Sequence, residues 1–276
     1  MTHPDAPPRT YLFVPGTRPE RFAKALASGA DCVVLDLEDA VAPEDKDRAR
    51  EEIVRWCSSA AAADRSRIVV RINDAASGWF TDDLRALQAC GCAQVLLPKA
   101  EEAWQVTAVV AAVPETRVLA LVESARGVAR VDEVAAALGV ARLVFGTLDL
   151  ALDLDIDISE DASGLAYAAG RIAIASRVAG LPAPVAGVTP QLQDAQRLLA
   201  DLALARRQGF GAKLCIHPGQ VAPVHAALQP SPQALVWARR VLEADVASPG
   251  AARLDGRMID RPVVEQARRT LGMARD

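Results

Sequence analysis

Short apolar runs rich in Val, Ile and Leu recur along the chain and alternate with longer stretches of helical spacing. Eight such runs are present: YLFV, CVVLDL, RIVVRI, QVLLP, RVLALVE, RLVFGT, APVAGV and AKLCIH. The segments between them have the length and apolar periodicity of helices, at 19–28, 43–61, 79–89, 101–113, 127–138, 161–179 and 190–208. The pattern predicts β-strands and α-helices in alternation throughout.

Strands that are apolar along their whole length are typical of a parallel sheet covered by helices. Eight units favour a closed (β/α)₈ TIM barrel, α/β in class, over an open doubly wound sheet, because no G-x-G-x-x-G follows the first strand. We assign residues 1–229 to the barrel. Residues 230–276, with helices at 231–246 and 262–274, are predicted to form a C-terminal helical extension that acts as a lid or packs on a neighbouring subunit.

The charge pattern limits the classes of partner. The formal net charge is −4, and no basic run is interleaved with aromatic residues, so we expect no nucleic-acid surface. The N-terminus carries no apolar leader, and no run of about 18 apolar residues follows, so we expect a cytoplasmic protein that does not contact membranes.

The cysteines do not form a recognisable metal motif. There are five, and Cys90 and Cys92 are separated by one residue, which differs from the usual spacing of zinc ligands. Most lie in apolar runs, so we predict buried free thiols.

Charged or strongly polar residues follow nearly every apolar run. In a barrel these positions meet at one rim, where enzymes of this architecture place their chemistry. Four carboxylates should gather there, with only Arg71 and Lys99 to offset them: Glu38, Asp39, Glu123 and Asp149. Such a set favours a hard cation such as Mg²⁺. A single carboxylate at a strand end is more often a cap or salt-bridge partner, which is one interpretation of Asp36, and His217 fits a structural role as well as a ligand role.

The motifs themselves resemble a known family. The segments YLFVPGTRPERFAKAL, CVVLDLEDAVAPEDKDRAR, VVRIN, VLLPKAE, LVESARGV, FGTLDLALDL, GFGAKLCIHPGQ and DGRMID are similar to the citrate lyase beta-subunit-like and malyl-CoA lyase branch of the HpcH/HpaI aldolase superfamily. The resemblance runs from about residue 9 to the end. It implies a (β/α)₈ barrel, assembled as trimers or hexamers, that uses Mg²⁺, or alternatively Mn²⁺, to cleave or form a C–C bond in a 3-hydroxyacyl-CoA thioester.

The resemblance also implies roles for individual residues. Glu123 and Asp149 resemble the metal ligands, and Arg71 the arginine that reaches the carboxylate and carbonyl region of the substrate. Arg18 and Lys24 look like the groups that meet the CoA phosphates, with Phe13 near the adenine or pantetheine path. Asp260 resembles an aspartate that the tail inserts into the site of an adjacent subunit. The predicted catalytic set is Arg71, Asp260, Glu38 and Asp39.

The sequence departs from the family pattern at two positions. Leu148 stands where many relatives carry Glu, and Ala186 where an aspartate is common. The sequence therefore does not define the acyl group of the substrate. Three alternative functions also remain: the beta subunit of a citrate lyase, which takes its acyl group from an acyl carrier protein; a thioester hydrolase of the malyl-CoA type; and a non-enzymatic scaffold.

Overall fold

Eight parallel strands close into a barrel in chain order, with β8 pairing with β1. The computed structural model describes residues 7–248 and 252–274. The strands of the barrel are β1 Thr10–Pro15, β2 Cys32–Asp36, β3 Ile68–Arg71, β4 Gln94–Leu97, β5 Arg117–Val122, β6 Val140–Phe145, β7 Val185–Ala186 and β8 Ala212–Cys215. The predicted (β/α)₈ barrel is confirmed.

Helices connect the strands and continue after the barrel. The α-helices are α1 Phe22–Ala27, α2 Lys46–Ser59, α3 Ala62–Arg65, α4 Phe80–Cys90, α5 Ala103–Ala112, α6 Ala125–Ala129, α7 Val131–Ala136, α8 Thr147–Asp153, α9 Ala166–Val178, α10 Ala195–Arg207, α11 Val221–Leu228, α12 Pro232–Ala247 and α13 Arg261–Gly272. Single 3₁₀ turns lie at Pro19–Arg21, Pro43–Asp45, Ser163–Leu165 and Pro218–Gln220.

Side chains that alternate along the strands fill the barrel interior. One buried cluster contains Tyr11, Cys32, Val34, Val69, Leu96, Leu119, Leu121, Val144, Val185, Ala212 and Leu214. Because the side-chain period of a strand is two residues, the positions after Val34, Val69 and Leu121 that share this inward direction are polar: Asp36, Arg71 and Glu123. The carboxyl ends of β2, β3 and β5 therefore direct charged groups toward the barrel axis.

Two of the predicted elements differ in the structure, and α3, α8 and α11 were not predicted. The single helix expected at 127–138 is divided into α6 and α7 at Arg130, whose φ of −110° and ψ of 15° are not helical. The seventh strand has only two residues, because Pro182 and Pro184 precede it and cannot donate to a sheet ladder. No helix in the described part of the chain is long and apolar enough to cross a bilayer.

The chain separates into two compact units, one of them Pro8–Val224 and the other including His225 onward. In the second unit, α12 and α13 pack together with the hairpin β9 (Ala252–Leu254) and β10 (Arg257–Ile259). Its buried cluster comprises Ala238, Val241, Ile259, Val264 and Ala267. The helical nature of the C-terminal region is confirmed, whereas a domain boundary at 229/230 and packing on a neighbouring subunit stay predictions.

Candidate active site at the carboxyl rim of the barrel

A cavity of about 320 Å³ opens at the carboxyl ends of the strands. Five of the residues predicted for the site line it, namely Phe13, Asp39, Arg71, Glu123 and Asp149. An apolar wall that was not predicted from the sequence completes the lining, formed by Phe145, Val188 and Leu214. The rim therefore combines charged groups with an apolar surface, as is usual for sites that bind small molecules.

Arg71 is held by the carboxylates of the β2 end. Its Nε and Nη2 donate to the two carboxylate oxygens of Asp36 at 2.7 and 2.6 Å. Its Nη1 lies 2.7 Å from Glu38 Oε2 and donates to Asp39 at 3.1 Å. The pairing follows from the sheet, because Asp36 and Arg71 are register partners on neighbouring strands. A structural arginine thus accounts for the buried charge of Asp36.

Glu38 is buried, although the next two residues of the loop, Asp39 and Ala40, are exposed. Burial raises the pKa of Glu38 to about 7; Arg71 counteracts this, and the negative charges of Asp39 and Asp36 add to the rise. Lys99 Nζ lies 3.9 Å from Glu38 Oε1. Asp39 is mostly exposed and lines the cavity, whereas Glu38 is not among the residues that line it.

A second network fixes the loops after β2 and β3. The Lys46 ammonium donates to the carbonyls of Leu37 and Glu38 at 2.6 and 2.8 Å and to Asn73 Oδ1 at 2.7 Å. Asn73 donates from its backbone and side-chain nitrogens to Asp83 Oδ2, each at 2.7 Å. Lys46 and Asp83 were not predicted from the sequence, because they lie on helices, where a charge is normally solvated.

Glu123 is the buried carboxylate of the opposite side of the rim. It is 4% exposed, and its Oε1 accepts a hydrogen bond from the backbone N–H of Lys99 at 2.8 Å. Gly146 lies against it, because a Cβ at this position would stand 2.6 Å from Glu123 Oε2 and 2.4 Å from its Cβ. Glycine at 146 therefore allows the β6 end to approach the carboxylate.

The charge of Glu123 is poorly compensated. Burial raises its pKa to about 8, and the negative charges of Glu38 and Asp149 contribute, while the Lys99 N–H opposes the rise. Within the described residues, no Lys, Arg or His nitrogen forms an ion pair with Glu123 or Asp149. A bound cation would remove this penalty.

Asp149 lies in the first turn of α8 and is exposed to the cavity that Glu123 lines. One fixed, buried carboxylate and one accessible carboxylate are oxygen donors of the type that Mg²⁺ prefers, and Mg²⁺ ordinarily keeps water or substrate oxygens in its other positions. The residues present thus fit a magnesium site.

The other predicted site residues lie outside the cavity lining. Arg18, after β1, is about half exposed and pairs with Glu20 at 2.7 Å, and Lys24 is exposed on α1. Asp260 belongs to the second unit, where it precedes α13 and its Oδ1 accepts the Val263 N–H at 3.3 Å. Their predicted roles toward CoA and toward an adjacent subunit stay predictions.

Known proteins resemble the chain over nearly its whole length. The HpcH/HpaI aldolase/citrate lyase family model matches residues 9–218. A (3S)-malyl-CoA thioesterase of Cereibacter sphaeroides is 33% identical over 278 aligned positions, covering 99% of this chain and 97% of that protein. A citrate lyase subunit beta-like protein of Mycobacterium tuberculosis is 38% identical over 269 positions, covering 96% and 94%.

A solved structure shows the same similarity in three dimensions. The crystal structure of the CitE protein of Mycobacterium tuberculosis, in complex with magnesium, acetoacetate and coenzyme A, superposes with a TM-score of 0.86. It is 37% identical in sequence, and the match covers 98% of each chain. The similarity therefore includes the C-terminal region as well as the barrel.

Proposed function

The chain belongs to the HpcH/HpaI aldolase/citrate lyase family, as its motifs predicted, and we propose that it is a Mg²⁺-dependent carbon–carbon lyase of CoA thioesters. Its substrate would be a 3-hydroxyacyl-CoA such as malyl-, methylmalyl- or citramalyl-CoA, which is split into an acyl-CoA and a 2-oxo acid or formed from them. The observation that carries the proposal is the buried carboxylate of Glu123, which shares a cavity with Asp149 and Arg71 and forms no ion pair among the described residues. The magnesium and coenzyme A bound to the CitE relative support it.

The reaction requires these residue types. A base takes the proton of the substrate hydroxyl, the C–C bond breaks as the new carbonyl forms, and the electron pair passes to the thioester as an enolate. An acid then protonates the enolate carbon to give the acyl-CoA. A Mg²⁺ held by Glu123 and Asp149 would polarise the oxo-acid oxygens and stabilise the negative charge that develops.

Arg71 suits the binding of the substrate carboxylate. A guanidinium has five N–H groups, and Asp36 and Asp39 accept from Nε, Nη2 and Nη1, so a second hydrogen of Nη2 is available to a ligand in the cavity. The guanidinium carbon lies 4.9 Å from the centre of the Phe13 ring. These contacts fix the orientation of Arg71, which reduces the cost of aligning the substrate.

We assign binding of the CoA portion to Phe13, Arg18 and Lys24, and proton transfer to Asp260 of a tail that reaches a neighbouring copy in a trimer or hexamer. Glu38 and Asp39 are further candidates for proton transfer. Glu38 has a pKa of about 7, which is suitable for a group that both accepts and donates a proton near neutral pH.

The deciding experiment incubates purified protein with Mg²⁺ and a panel of 3-hydroxydicarboxylyl-CoA thioesters, and measures oxo acid and free thiol separately. Release of oxo acid together with acyl-CoA, abolished by EDTA and restored by Mg²⁺, is the expected result. Failure of every thioester, CoA-linked or carrier-linked, to yield oxo acid would contradict the lyase.

A thioester hydrolase is the second candidate, because a relative 33% identical to the chain is a (3S)-malyl-CoA thioesterase. Here water would attack the thioester, and the same assay would yield free CoA without oxo acid. Oxo acid released only from an acyl carrier protein thioester would instead indicate a citrate lyase beta subunit. Mg²⁺ binding without turnover of any of these thioesters would indicate a scaffold.

The substitution Asp260→Asn tests the role of the tail. Because general acid–base groups contribute about 10²-fold or more to rate, we expect kcat to fall by about that factor while CoA affinity is retained. Asp255→Asn, which alters an exposed ion pair with Arg240 in the same unit, is the control. Unchanged turnover of the Asp260 variant would remove the tail from the mechanism.

A further inference from the structure

Three of the five cysteines meet in space although the sequence separates them. Cys57 lies near the end of α2, Cys90 is the last residue of α4, and Cys92 follows two residues later. Their sulfur atoms all lie within 4.8 Å of one another, and those of Cys57 and Cys92 are 3.6 Å apart. All three side chains are buried, with exposures of 0%, 5% and 2%.

These separations suit a shared metal ion better than a covalent bond. The thiols are free, and a disulfide would require the sulfurs to approach to about 2.05 Å. Three thiolates arranged in a triangle at about 2.3 Å from a metal ion are about 4.0 Å apart, by geometry from a typical metal–sulfur distance. The observed sulfur separations are compatible with this value, so small side-chain adjustments would close the site.

The donor set selects the kind of ion. Thiolates favour soft cations such as Cu(I) over Mg²⁺ or Ca²⁺. Within the part of the chain that the structure describes, no His, Asp, Glu or further Cys joins the three sulfurs. A structural zinc ion ordinarily takes four ligands, whereas three sulfurs without a fourth suit a three-coordinate ion.

We propose that Cys57, Cys90 and Cys92 form a three-sulfur binding site for a soft monovalent cation, Cu(I). Each sulfur that binds releases its proton to solvent, and no electron is transferred. Arg65 supplies nearby positive charge, since its Nη1 donates to the carbonyls of Ala60 at 2.6 Å and of Cys57 at 3.5 Å. This charge would reduce the cost of burying the anionic complex.

The site is separate from the proposed active site. Cys90 and Cys92 precede β4, and the end of α2 leads toward β3, so the cluster lies at the amino ends of the strands. In barrels of this architecture that face affects stability rather than catalysis. Cu(I) binding should therefore stabilise the protein without requiring turnover of any thioester.

The test titrates the reduced, metal-free protein with Cu(I) under argon, in competition with a chromogenic Cu(I) chelator. We expect one Cu(I) to be retained per chain, X-ray absorption to show about three sulfur neighbours, and the thermal midpoint to rise on binding. Cys57→Ser and Cys92→Ser should each weaken binding by at least about tenfold.

Cys32→Ser and Cys215→Ser are matched controls, because both cysteines are as buried as the three but lie in β2 and β8. Both should retain the ion, with folding of every variant checked by circular dichroism. Equal binding by the Cys57 and Cys215 variants would overturn the proposal. The proposal would also be overturned if the X-ray absorption spectrum of the wild-type protein showed nitrogen or oxygen neighbours of copper in place of sulfur. That result does not depend on any variant.

Discussion

The two sides of the barrel rim carry similar carboxylates in opposite electrostatic situations. At the ends of β2 and β3, Asp36 forms two hydrogen bonds with Arg71, so the charges neutralise each other within the protein. At the ends of β5 and β6, Glu123 is equally buried, but among the described residues its one hydrogen-bond donor is the backbone N–H of Lys99. The pKa of Glu123 is accordingly raised to about 8.

This difference separates a charge that the fold itself neutralises from one that we propose a bound cation neutralises. A buried carboxylate beside its own arginine needs no ligand, whereas one without a cation destabilises the ionised form until a ligand supplies positive charge. Asp36 and Glu123 both point toward the barrel axis, so their position alone does not distinguish them. They differ in whether a cation lies beside the carboxylate.

The largest effect is expected from Arg71→Met, which removes the cation that neutralises Asp36 at the ends of β2 and β3. Asp36 would then be a buried charge without its arginine, held only by the backbone N–H groups of Glu38 and Ala40 among the described residues. The free energy of unfolding should fall by about 3–5 kcal/mol, measured by urea denaturation. The double variant Arg71→Met/Asp36→Asn should recover part of the loss. If the double variant is no more stable than Arg71→Met alone, the loss of stability does not come from the unpaired charge of Asp36.

Glu123→Gln should have the next largest effect, because Glu123 forms no ion pair with any described residue. The substitution keeps the shape of the side chain but removes the carboxylate that we propose as a metal ligand. Mg²⁺-dependent turnover should therefore drop by at least about 100-fold, because mutation of residues that only support a metal ligand already lowers metal affinity or activity by about 10–100-fold. Calorimetry should show weakened Mg²⁺ binding, while unfolding experiments show no loss of stability. Glu133→Gln, an exposed carboxylate on α7, should change neither quantity.

The stability of the metal-free protein should depend on pH through two buried carboxylates at the rim. The folded pKa values of Glu123 and Glu38 are raised to about 8 and about 7, from an ordinary value of 4.5. Their protonated forms are thus favoured by folding, and the metal-free protein should lose this stability as the pH rises from about 4.5 through 8.

Mg²⁺ should offset that loss, because it competes with the proton at Glu123. We expect Mg²⁺ to raise the thermal midpoint by roughly 2 °C or more at pH 8 and by less at pH 5, measured by scanning calorimetry. Glu123→Gln should reduce both the pH dependence and the response to Mg²⁺. An equal response at the two pH values would contradict a site at Glu123.

The smallest effects are expected at the exposed cations. Arg18→Ala and Lys24→Ala should each raise KM for the CoA thioester by roughly 1.4- to fivefold with kcat unchanged, because an exposed ion pair contributes about 0.2–1 kcal/mol. The increase should shrink at high salt. Arg48→Ala, an equally exposed arginine on α2, is the control, and a similar increase in that variant would show a general charge effect instead.

Local sequence was sufficient to predict the barrel and most of its rim. Strand residues such as those of VVLD and RIVVR are apolar on both faces, which indicates a parallel sheet under helices, and the polar residue after each run indicates the rim. Phe13, Asp39, Arg71, Glu123 and Asp149 do line one cavity. The network of Lys46, Asn73 and Asp83 was missed, because no local pattern tells which helical charges turn inward.

The sequence by itself thus determined the fold class and which charged residues would gather at one rim, since both depend on periodicities of two and 3.6 residues along the chain. Only the tertiary structure decided that Arg71 neutralises Asp36 rather than Glu123, and that Cys57 meets Cys90 and Cys92. The contacts of Arg71 with Asp36 and of Cys57 with Cys92 each join residues 35 positions apart. They arise from the closure of the barrel and the packing of its helices, and a local sequence pattern does not predict which distant residues these bring into contact.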